Sequence, residues 1–216
     1  REAIKKVLNK KNLPIICGGT GLYIQSIVDN LTIPLVPPDF KLRKELGGKS
    51  LEELFGELKK LDPRRAKNID NKNRVRLIRA IEIIKVLGVV PKLKSIKNKD
   101  YEFLQIGLKL DKKDLKERIR VRLLKRLKQG MVAEVRKLKR FGISWTRLND
   151  LGLEYRFIAK YLKGKITKDE LVKQLTVAIT KYAKRQMTWF QRDKRIKWFK
   201  PTDREDIEKE VTNFLY

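Results

Sequence analysis

The 216-residue sequence contains no histidine and a single cysteine, Cys17. The absence of histidine excludes imidazole general bases, histidine-containing catalytic triads and zinc sites with histidine ligands. One cysteine cannot form an intramolecular disulfide, which favours a reducing compartment, so we expect a cytoplasmic protein. No apolar run approaches the length needed to cross a bilayer, and we therefore expect no membrane partner.

Acidic residues are scarce relative to basic ones. The chain has 54 lysines and arginines against 26 aspartates and glutamates, which gives a formal net charge of +28. Such an excess predicts a polyanionic partner, with nucleic acid as the first choice. A lysine-biased proteome would produce the same total but would scatter the cations. The positions of the cations along the chain therefore decide between these two interpretations.

A glycine-rich turn near the start of the chain is the most informative segment. The apolar stretch Leu13–Cys17 has the length of a buried strand, the turn Gly18–Gly21 follows it, and a helical pattern continues over Leu22–Val28. Glycines let a ligand approach the backbone closely, and the free N–H groups at a helix start favour anions. The segment therefore predicts a strand, a ligand-binding turn and a helix.

Two further strands and a long helix are predicted in the second half of the chain. Apolar residues alternate over Phe103–Leu110, and Ile196–Phe199 is a plausible last strand. Thr167 and Glu170 form a capping box at the start of the longest helix, Lys168–Gln191. Strands that alternate with helices predict an α/β core.

A helical, highly charged stretch separates these elements from the glycine-rich turn. Its clearest member is Arg74–Leu87, whose apolar residues recur at near-helical spacing. We therefore predict that residues 1–36 and 101–216 form the α/β core, and that residues 37–100 form an inserted helical region.

Basic residues line one face of the predicted long helix. A cluster that includes Gln186 and Trp189 lies beside them and adds directional hydrogen-bond donors and a stacking surface. This combination favours contact with a phosphate backbone or a diphosphate over a merely solvated face. The polar face contains Lys181, Lys184, Arg185, Thr188 and Arg192.

Two other helices carry arginine at helical spacing. Arg76 and Arg79 lie three residues apart, and Glu82 stands where it can hold Arg79 in place. Arginine suits phosphate because its planar fork binds two oxygens at once. The second helix carries Arg118, Arg122 and Arg126, each four residues apart. For these three arginines, a functional and a structural interpretation both stay open.

Taken in order, four motifs resemble those of the tRNA dimethylallyltransferases, also called tRNA isopentenyltransferases. The likeness covers about residues 1–199. The motifs are Gly18–Tyr23, Arg76–Glu82, the set Arg118, Gly130 and Glu134, and Lys184–Trp189. The resemblance implies an α/β, P-loop NTPase-like core, incomplete here at its N-terminal part. It also implies an inserted helical domain that binds the anticodon stem.

The resemblance further implies an activity. Members of that family transfer a dimethylallyl group from dimethylallyl diphosphate to the N6 amine of an adenosine adjacent to the anticodon in tRNA. The expected partners are therefore the tRNA anticodon stem-loop and dimethylallyl diphosphate. Mg²⁺ is the expected cofactor, bound mainly through the substrate diphosphate and a segment that precedes this chain, and no residue here is a candidate metal ligand. We expect a monomer.

Site residues follow from the same resemblance, position by position. Thr20 would lie at the reaction centre, near the target amine. The residues expected to bind tRNA are Arg43, Val75, Arg76, Leu77, Ile78, Arg79, Tyr155, Arg156, Lys184, Arg185, Gln186, Thr188 and Trp189. The candidates for binding the diphosphate are Gly18, Gly19, Gly21, Arg118 and Arg122.

The sequence also departs from the family pattern. The P-loop and the catalytic aspartate of the family precede the glycine-threonine motif, and neither is present here. We therefore expect a longer natural protein and expect this chain to be inactive alone. Gly152–Glu154 replaces the more usual valine-glycine pattern before Tyr155, which puts the tRNA contacts of this segment in doubt.

Two other functions remain as alternatives to tRNA modification. An isopentenyltransferase that acts on free adenine nucleotide would need neither the long basic helix nor the inserted stretch. A non-catalytic RNA-binding protein would explain a missing catalytic site. Comparing AMP with an anticodon stem-loop as the acceptor separates the first alternative from tRNA modification, and a P-loop encoded upstream would exclude the second.

Overall fold

The computed structural model of the chain describes residues 1–93, 98 and 100–216. These residues divide into two units. The first unit comprises residues 1–16 and 22–101, and the second comprises residues 17–21 and 102–216. In the described residues, the secondary structure consists of twelve helices and one two-stranded sheet.

In its described residues, the regular secondary structure of the first unit is entirely helical. Its hydrophobic core is built mainly from leucine and isoleucine side chains of α3, α4 and α6, in the stretch that the sequence predicts to be helical. Its helices are α1 (Glu2–Asn9), α2 (Gly21–Val28, whose first residue belongs to the second unit), α3 (Phe40–Gly47), α4 (Leu51–Leu61), α5 (Pro63–Ala66) and α6 (Arg74–Leu87).

Local sequence signals explain where these helices begin and end. Asp39 caps α3 by accepting a hydrogen bond from the backbone N–H of Leu42, and Ser50 and Glu53 form a complete capping box on α4. Each such cap is worth about 1 kcal/mol. Gly88 ends α6 in the left-handed conformation, with φ of 73°, which a glycine adopts without a steric penalty.

The second unit joins a helical cluster to the sheet. Its core is formed by side chains of α7, α8, α9, α10 and α11. Its elements are β1 (Ile106–Leu108), α7 (Lys112–Lys128), α8 (Met131–Arg140), α9 (Trp145–Asp150), α10 (Leu153–Leu162), α11 (Lys168–Phe190), β2 (Lys197–Phe199) and α12 (Arg204–Leu215).

The sheet confirms that the second half of the chain has the α/β pattern. Strands β1 and β2 pair in parallel, with Gly107 opposite Trp198, although both strands are shorter than the sequence predicts. Parallel strands need a crossover between them, and here α7 to α11 supply it. The Trp198 ring lies so close to Gly107 that a side chain at that position would displace it.

The predicted buried strand over Leu13–Cys17 is wrong for this structure. The segment has no helical or strand assignment, and Ile15 is 84% exposed. An extended segment becomes a strand only when its backbone pairs with a neighbour. In the described residues the sheet consists of β1 and β2 alone, so this segment has no strand beside it.

The division into units also differs from the predicted domains. Residues 1–16 and 22–36, which the sequence assigns to the core, group with the helical first unit. Only the turn at residues 17–21 joins the second unit, because its glycines contact α11. The extent of the core therefore stays a prediction.

Two helical segments differ from the pattern that the sequence indicates. Residues 143–156 read as an ordered loop that runs into a helix, but the structure has two helices there, α9 and α10. Ser144 caps α9 by accepting a hydrogen bond from the backbone N–H of Arg147.

The C-terminal helix α12 lies beyond the last predicted strand. No helix in the described part of the chain has the length and apolar character that crossing a bilayer requires.

The packing of α11 yields a first prediction. Leu175 is fully buried in the core of the second unit, whereas Val177, two residues away on the same helix, is 47% exposed. Leu175→Ala should lower the free energy of unfolding by about 2–5 kcal/mol, because it removes buried methyl groups and leaves a cavity. Val177→Ala should change it by no more than about 0.5 kcal/mol. Urea denaturation followed by tryptophan fluorescence measures both, and equal effects would contradict the assigned core face.

Candidate functional site

The glycine-rich turn is attached to the C-terminal half of α11. The side-chain amide of Gln186 donates a hydrogen bond to the carbonyl oxygen of Gly19, with 2.8 Å between Nε2 and O. The two residues are 167 positions apart in the sequence. This hydrogen bond brings together two of the motifs on which the family resemblance rests.

The indole ring of Trp189 lies against the same turn. A Cβ atom built on Gly21 would overlap that ring, so any larger residue would force the turn and the helix apart. Gly19 is similarly close to the Gln186 amide, although the end of that flexible side chain could shift. The glycines here therefore serve close backbone packing against α11.

Thr20 is exposed, and its hydroxyl has no hydrogen-bond partner in the described residues. It lies between Gly19, which Gln186 holds, and Gly21, which packs on Trp189. A hydroxyl in this position can accept a hydrogen bond from a ligand or donate one to it. The structure thus presents Thr20 to solvent at a turn whose flanking residues are held in place.

A cationic face runs along the same end of α11. Lys184 and Arg185 are both exposed. The Arg185 guanidinium lies 5.7 Å from the centre of the Tyr182 ring. Thr188 differs from expectation, because its hydroxyl donates back to the carbonyl oxygen of Lys184 at 3.0 Å and is already engaged.

Arg118 and Arg122, the arginine candidates for the diphosphate, are exposed on α7. Helix α7 packs against α11, but no hydrogen bond or ion pair joins these two arginines to the glycine-rich turn in the described residues. Arg126, the third member of that row, binds the carboxylate of Glu154 at 2.7 Å. The structural interpretation therefore holds for Arg126, while the diphosphate role of the other two stays a prediction.

The polar side-chain atoms of Tyr155 and Arg156 form hydrogen bonds to other residues of the protein. The Tyr155 hydroxyl donates to Glu134 at 2.7 Å, and this hydrogen bond raises the pKa of Tyr155. The Arg156 Nε donates to the carbonyl oxygen of Asn149 at 3.2 Å. Both residues thus help to join α10 to its neighbours, and their expected contact with tRNA stays a prediction.

In the first unit, two of the three arginine candidates, Arg43 and Arg79, meet at one buried carboxylate. Glu82 is 1% exposed and accepts two hydrogen bonds from Arg43, each 2.9 Å long, and a further one from Arg79. The backbone N–H of Asp39 donates to the same carboxylate at 2.7 Å. The predicted pairing of Glu82 with Arg79 is confirmed, and Glu82 also connects α6 to α3.

The environment of Glu82 sets its ionisation. Burial by itself would raise the pKa of this carboxyl group, but hydrogen bonds from Arg43 and Arg79 outweigh burial and lower the pKa to about 2. The carboxylate is therefore charged at neutral pH. Because Arg43 and Arg79 direct several donors inward, only part of each guanidinium is left for an external phosphate.

The other candidates on α6 separate into exposed and buried positions. Val75 is exposed, and the guanidinium of Arg76 lies 3.8 Å from the Asp70 carboxylate on the surface. Leu77 is fully buried in the core of the first unit, and Ile78 packs against that core. Helical periodicity turns the Leu77 side chain inward, so this side chain serves the core, and the expected contact of the Val75–Arg79 segment with tRNA stays a prediction.

The described residues contain no group of three or more carboxylate or thiol side chains that could hold a metal ion. The expected involvement of Mg²⁺ stays a prediction from the resemblance.

Sequence reasoning missed the long-range partners of several residues. The pairing of Glu82 with Arg43 spans 39 residues, and no local spacing rule reaches that far. The hydrogen bond of Gln186 with Gly19 was equally invisible. The available signal was chemical, since a buried glutamate in a helix with an apolar face requires cationic partners.

The family is established by comparison with known proteins. A family model described as IPP transferase matches residues 1–193. The chain belongs to this family, and the resemblance drawn from the four motifs is confirmed.

Curated relatives support the same assignment. The chain is 43% identical over 195 residues to a protein named tRNA dimethylallyltransferase 2 from Treponema denticola, covering 88% of this chain and 65% of that protein. It is 36% identical over 218 residues to tRNA dimethylallyltransferase 1 from Syntrophus aciditrophicus, covering 99% of this chain and 72% of that protein. The chain thus spans about two thirds of the length of these relatives, and less than two thirds of the first.

Solved structures agree on the fold. The full-length tRNA isopentenylpyrophosphate transferase of Bacillus halodurans matches with a TM-score of 0.63 and 30% identity, covering 99% of this chain and 69% of that one. A eukaryotic dimethylallyltransferase acting on tRNA matches with a TM-score of 0.72 and 18% identity, covering 99% of this chain and 57% of that one. The second likeness shows the fold alone. Together they confirm the predicted α/β, P-loop NTPase-like class with a helical insertion.

The Glu82 cluster yields a prediction for the pH dependence of stability. The folded-state pKa of about 2 lies below the ordinary value of 4.5, so the stabilisation is complete above pH 4.5 and disappears as pH falls toward 2. The difference corresponds to roughly 3 kcal/mol. Glu82→Gln should lower stability at neutral pH and remove this part of the acid sensitivity. Urea unfolding followed by far-UV circular dichroism over this pH range measures both.

Glu57→Gln is the matched control. Glu57 also pairs with a cation, Lys49 at 2.7 Å, but the pair lies at the surface. Surface ion pairs contribute about 0–1 kcal/mol, so this variant should keep the acid sensitivity of the wild-type protein. An acid transition in Glu82→Gln identical to that of Glu57→Gln would contradict the assigned role of the buried carboxylate.

Proposed function

We propose that the protein containing this chain is a tRNA dimethylallyltransferase. It transfers a dimethylallyl group from dimethylallyl diphosphate to the N6 amine of an adenosine adjacent to the anticodon. The names of the relatives from Treponema denticola and Syntrophus aciditrophicus support this proposal. The observation that carries it is the exposed Thr20 hydroxyl on a turn held by Gln186 at the basic end of α11.

The proposed reaction is a substitution at the allylic carbon of the donor. The amine nitrogen forms a bond to that carbon while the bond from carbon to the diphosphate oxygen breaks, and diphosphate leaves with the electron pair. The amine then loses a proton. The Thr20 hydroxyl accepts a hydrogen bond from the amine, and this hydrogen bond orients the lone pair of the amine nitrogen toward the allylic carbon. The resemblance assigns the proton to an aspartate outside this chain.

The adenine must leave its stack for this geometry to form. Its amine meets the allylic carbon only when the base is extruded into the site. Trp189, half-buried beside Gly21, places an aromatic surface next to Thr20. Lys184 and Arg185 contribute positive charge on the same end of the helix, where they attract the neighbouring phosphates.

The remaining roles are proposals of the same kind. The backbone N–H groups of Gly19 and Gly21, with Arg118 and Arg122, bind the departing diphosphate, because such donors stabilise developing negative charge. Arg43, Arg76 and Arg79 bind the anticodon stem. We further propose Mg²⁺ as the cofactor and a monomer that acts in the cytoplasm, where a chain with one cysteine stays reduced.

The role of Thr20 yields a prediction for the full-length protein. Thr20→Ala should lower kcat by a factor of about 10²–10³, because it removes a hydrogen bond that orients the reacting amine. The dissociation constant for tRNA should stay within a factor of about two, since one hydroxyl contributes little to a phosphate-dominated interface. Single-turnover assays with labelled dimethylallyl diphosphate and filter binding measure the two quantities.

Thr20→Ser is the matched control, because it keeps the hydroxyl and should retain most of the activity. The same assay with AMP in place of tRNA tests the proposed acceptor, and AMP should be a poor substrate. Wild-type turnover in Thr20→Ala would contradict the role of Thr20. Preferred prenylation of AMP would contradict tRNA as the substrate.

The basic end of α11 yields a second prediction. Arg185→Gln should weaken tRNA binding and reduce the magnitude of the slope of log K against log salt by about 0.7–0.9, because the variant neutralises one phosphate fewer. Lys173→Gln, which removes an exposed cation near the other end of the same helix, should leave the slope unchanged. Binding titrations across a series of salt concentrations measure both. Indistinguishable slopes in the two variants would count against tRNA contact at Arg185.

A further inference from the structure

A second concentration of positive charge lies in the second unit, away from the glycine-rich turn. Residues 135–168 contain ten lysines and arginines but only two acidic residues, Asp150 and Glu154. Glu154 is already paired with Arg126. This segment therefore has a local charge excess that its own carboxylates do not neutralise.

Four lysines of this segment lie over aromatic rings. The Nζ atoms of Lys139 and Lys163 lie 5.5 and 5.9 Å from the centre of the Trp145 ring. Lys137 lies 5.7 Å from the centre of the Phe141 ring, and Lys160 lies 5.2 Å from that of Phe157. Residues Lys137, Lys139, Phe141, Trp145, Lys160 and Lys163 are called the basic-aromatic surface below.

In the part of the chain that the structure describes, none of these four lysines forms an ion pair with an acidic residue. The Trp145 ring attracts each of its two ammonium groups by about 0.5–1 kcal/mol, but the two groups repel each other. Phe141 is also 72% exposed, so its ring is open to a ligand.

The basic-aromatic surface is distant from the proposed reaction site. Lys163 and the loop after it immediately precede α11, whereas Gln186 and Trp189 lie near the end of that helix. The helix rises about 27 Å along its axis from Lys168 to Gln186, at 1.5 Å for each residue step. The surface also lies at the C-terminal end of α10, whereas Tyr155 and Arg156 lie in its first turn.

We propose that the basic-aromatic surface binds the sugar-phosphate backbone of RNA outside the anticodon loop, without reading its sequence. This inference extends the proposed function, on which it rests, to a second contact area for the RNA substrate. Lysine ammonium groups spaced along α8 and the end of α10 suit successive phosphates, and the exposed Phe141 ring suits an unstacked base.

Two features favour RNA over other polyanions. An anionic membrane is bound most effectively by a helix with a continuous apolar face, but the large apolar side chains of α8 and α10 face the core of the unit. An acidic protein segment would need no aromatic rings among the cations. Alternating cations and rings are typical of nucleic-acid surfaces, because phosphates and bases alternate in the ligand.

The test compares two double variants of the full-length protein that have equal charge. Lys139→Gln with Lys163→Gln neutralises the centre of the basic-aromatic surface. Lys173→Gln with Lys209→Gln removes two exposed lysines from α11 and α12 of the same unit. The probe is an RNA duplex of arbitrary sequence, and binding is titrated across a series of salt concentrations.

The surface variant should bind the duplex about tenfold more weakly, and its salt slope should shrink by about 0.9 for each phosphate that the variant no longer neutralises. The control variant should differ from wild type by less than a factor of about two. Equal effects of the two variants would overturn the proposal. Weaker binding to phosphatidylserine vesicles, with unchanged duplex affinity, would overturn it in favour of a membrane.

The duplex titrations test the second contact area independently of the proposed enzyme activity. Prenyl transfer by the wild-type protein is measured in the Thr20 assay, and its failure would refute the enzyme activity without changing the duplex titrations. A surface variant that keeps wild-type duplex affinity would refute the second contact area, whatever the turnover. Circular dichroism of each variant confirms that the fold is retained.

Discussion

One hydrogen bond, from the Gln186 amide to the Gly19 carbonyl, connects the two ends of the second unit's sequence. Because of it, and because Gly21 leaves room for the Trp189 ring, residues 17–21 belong to a unit whose other residues begin at position 102. The position of Thr20 depends on both interactions. A turn without them would present the same hydroxyl in many orientations, and a reacting amine needs one. The site is thus a consequence of close packing between α11 and the backbone of two glycines, Gly19 and Gly21.

The distribution of charge follows a second physical rule. A chain with a formal charge of +28 gains stability where a carboxylate accepts from more than one cation. Glu82 does so with Arg43 and Arg79, and it is buried. The lysines of the basic-aromatic surface, in contrast, have aromatic rings but no carboxylates beside them in the described residues. Arginines near a buried acid therefore serve the fold first, whereas unpaired lysines remain available to a partner.

Much of the architecture was predictable because it depends on local signals. The capping box at Thr167 predicted the start of α11, and alternation over Phe103–Leu110 predicted the strand that contains β1. The prediction failed at Leu13–Cys17, where the composition suits a strand but pairing requires a neighbour. It also missed the division of residues 143–156 into two helices. At Leu77, a motif that indicated contact with tRNA could not tell which positions of the helix face inward.

The amino-acid sequence by itself determined the family, the α/β class, the boundaries of several helices and the excess of positive charge, because motifs, caps and composition are local or additive properties. Only the tertiary structure decided which cations are free. Arg126 and Arg118 lie on the same helix, yet the first is paired with Glu154 and the second is exposed. The partner of a side chain depends on which distant residues the fold brings within about 4 Å, and spacing along the chain does not contain that information.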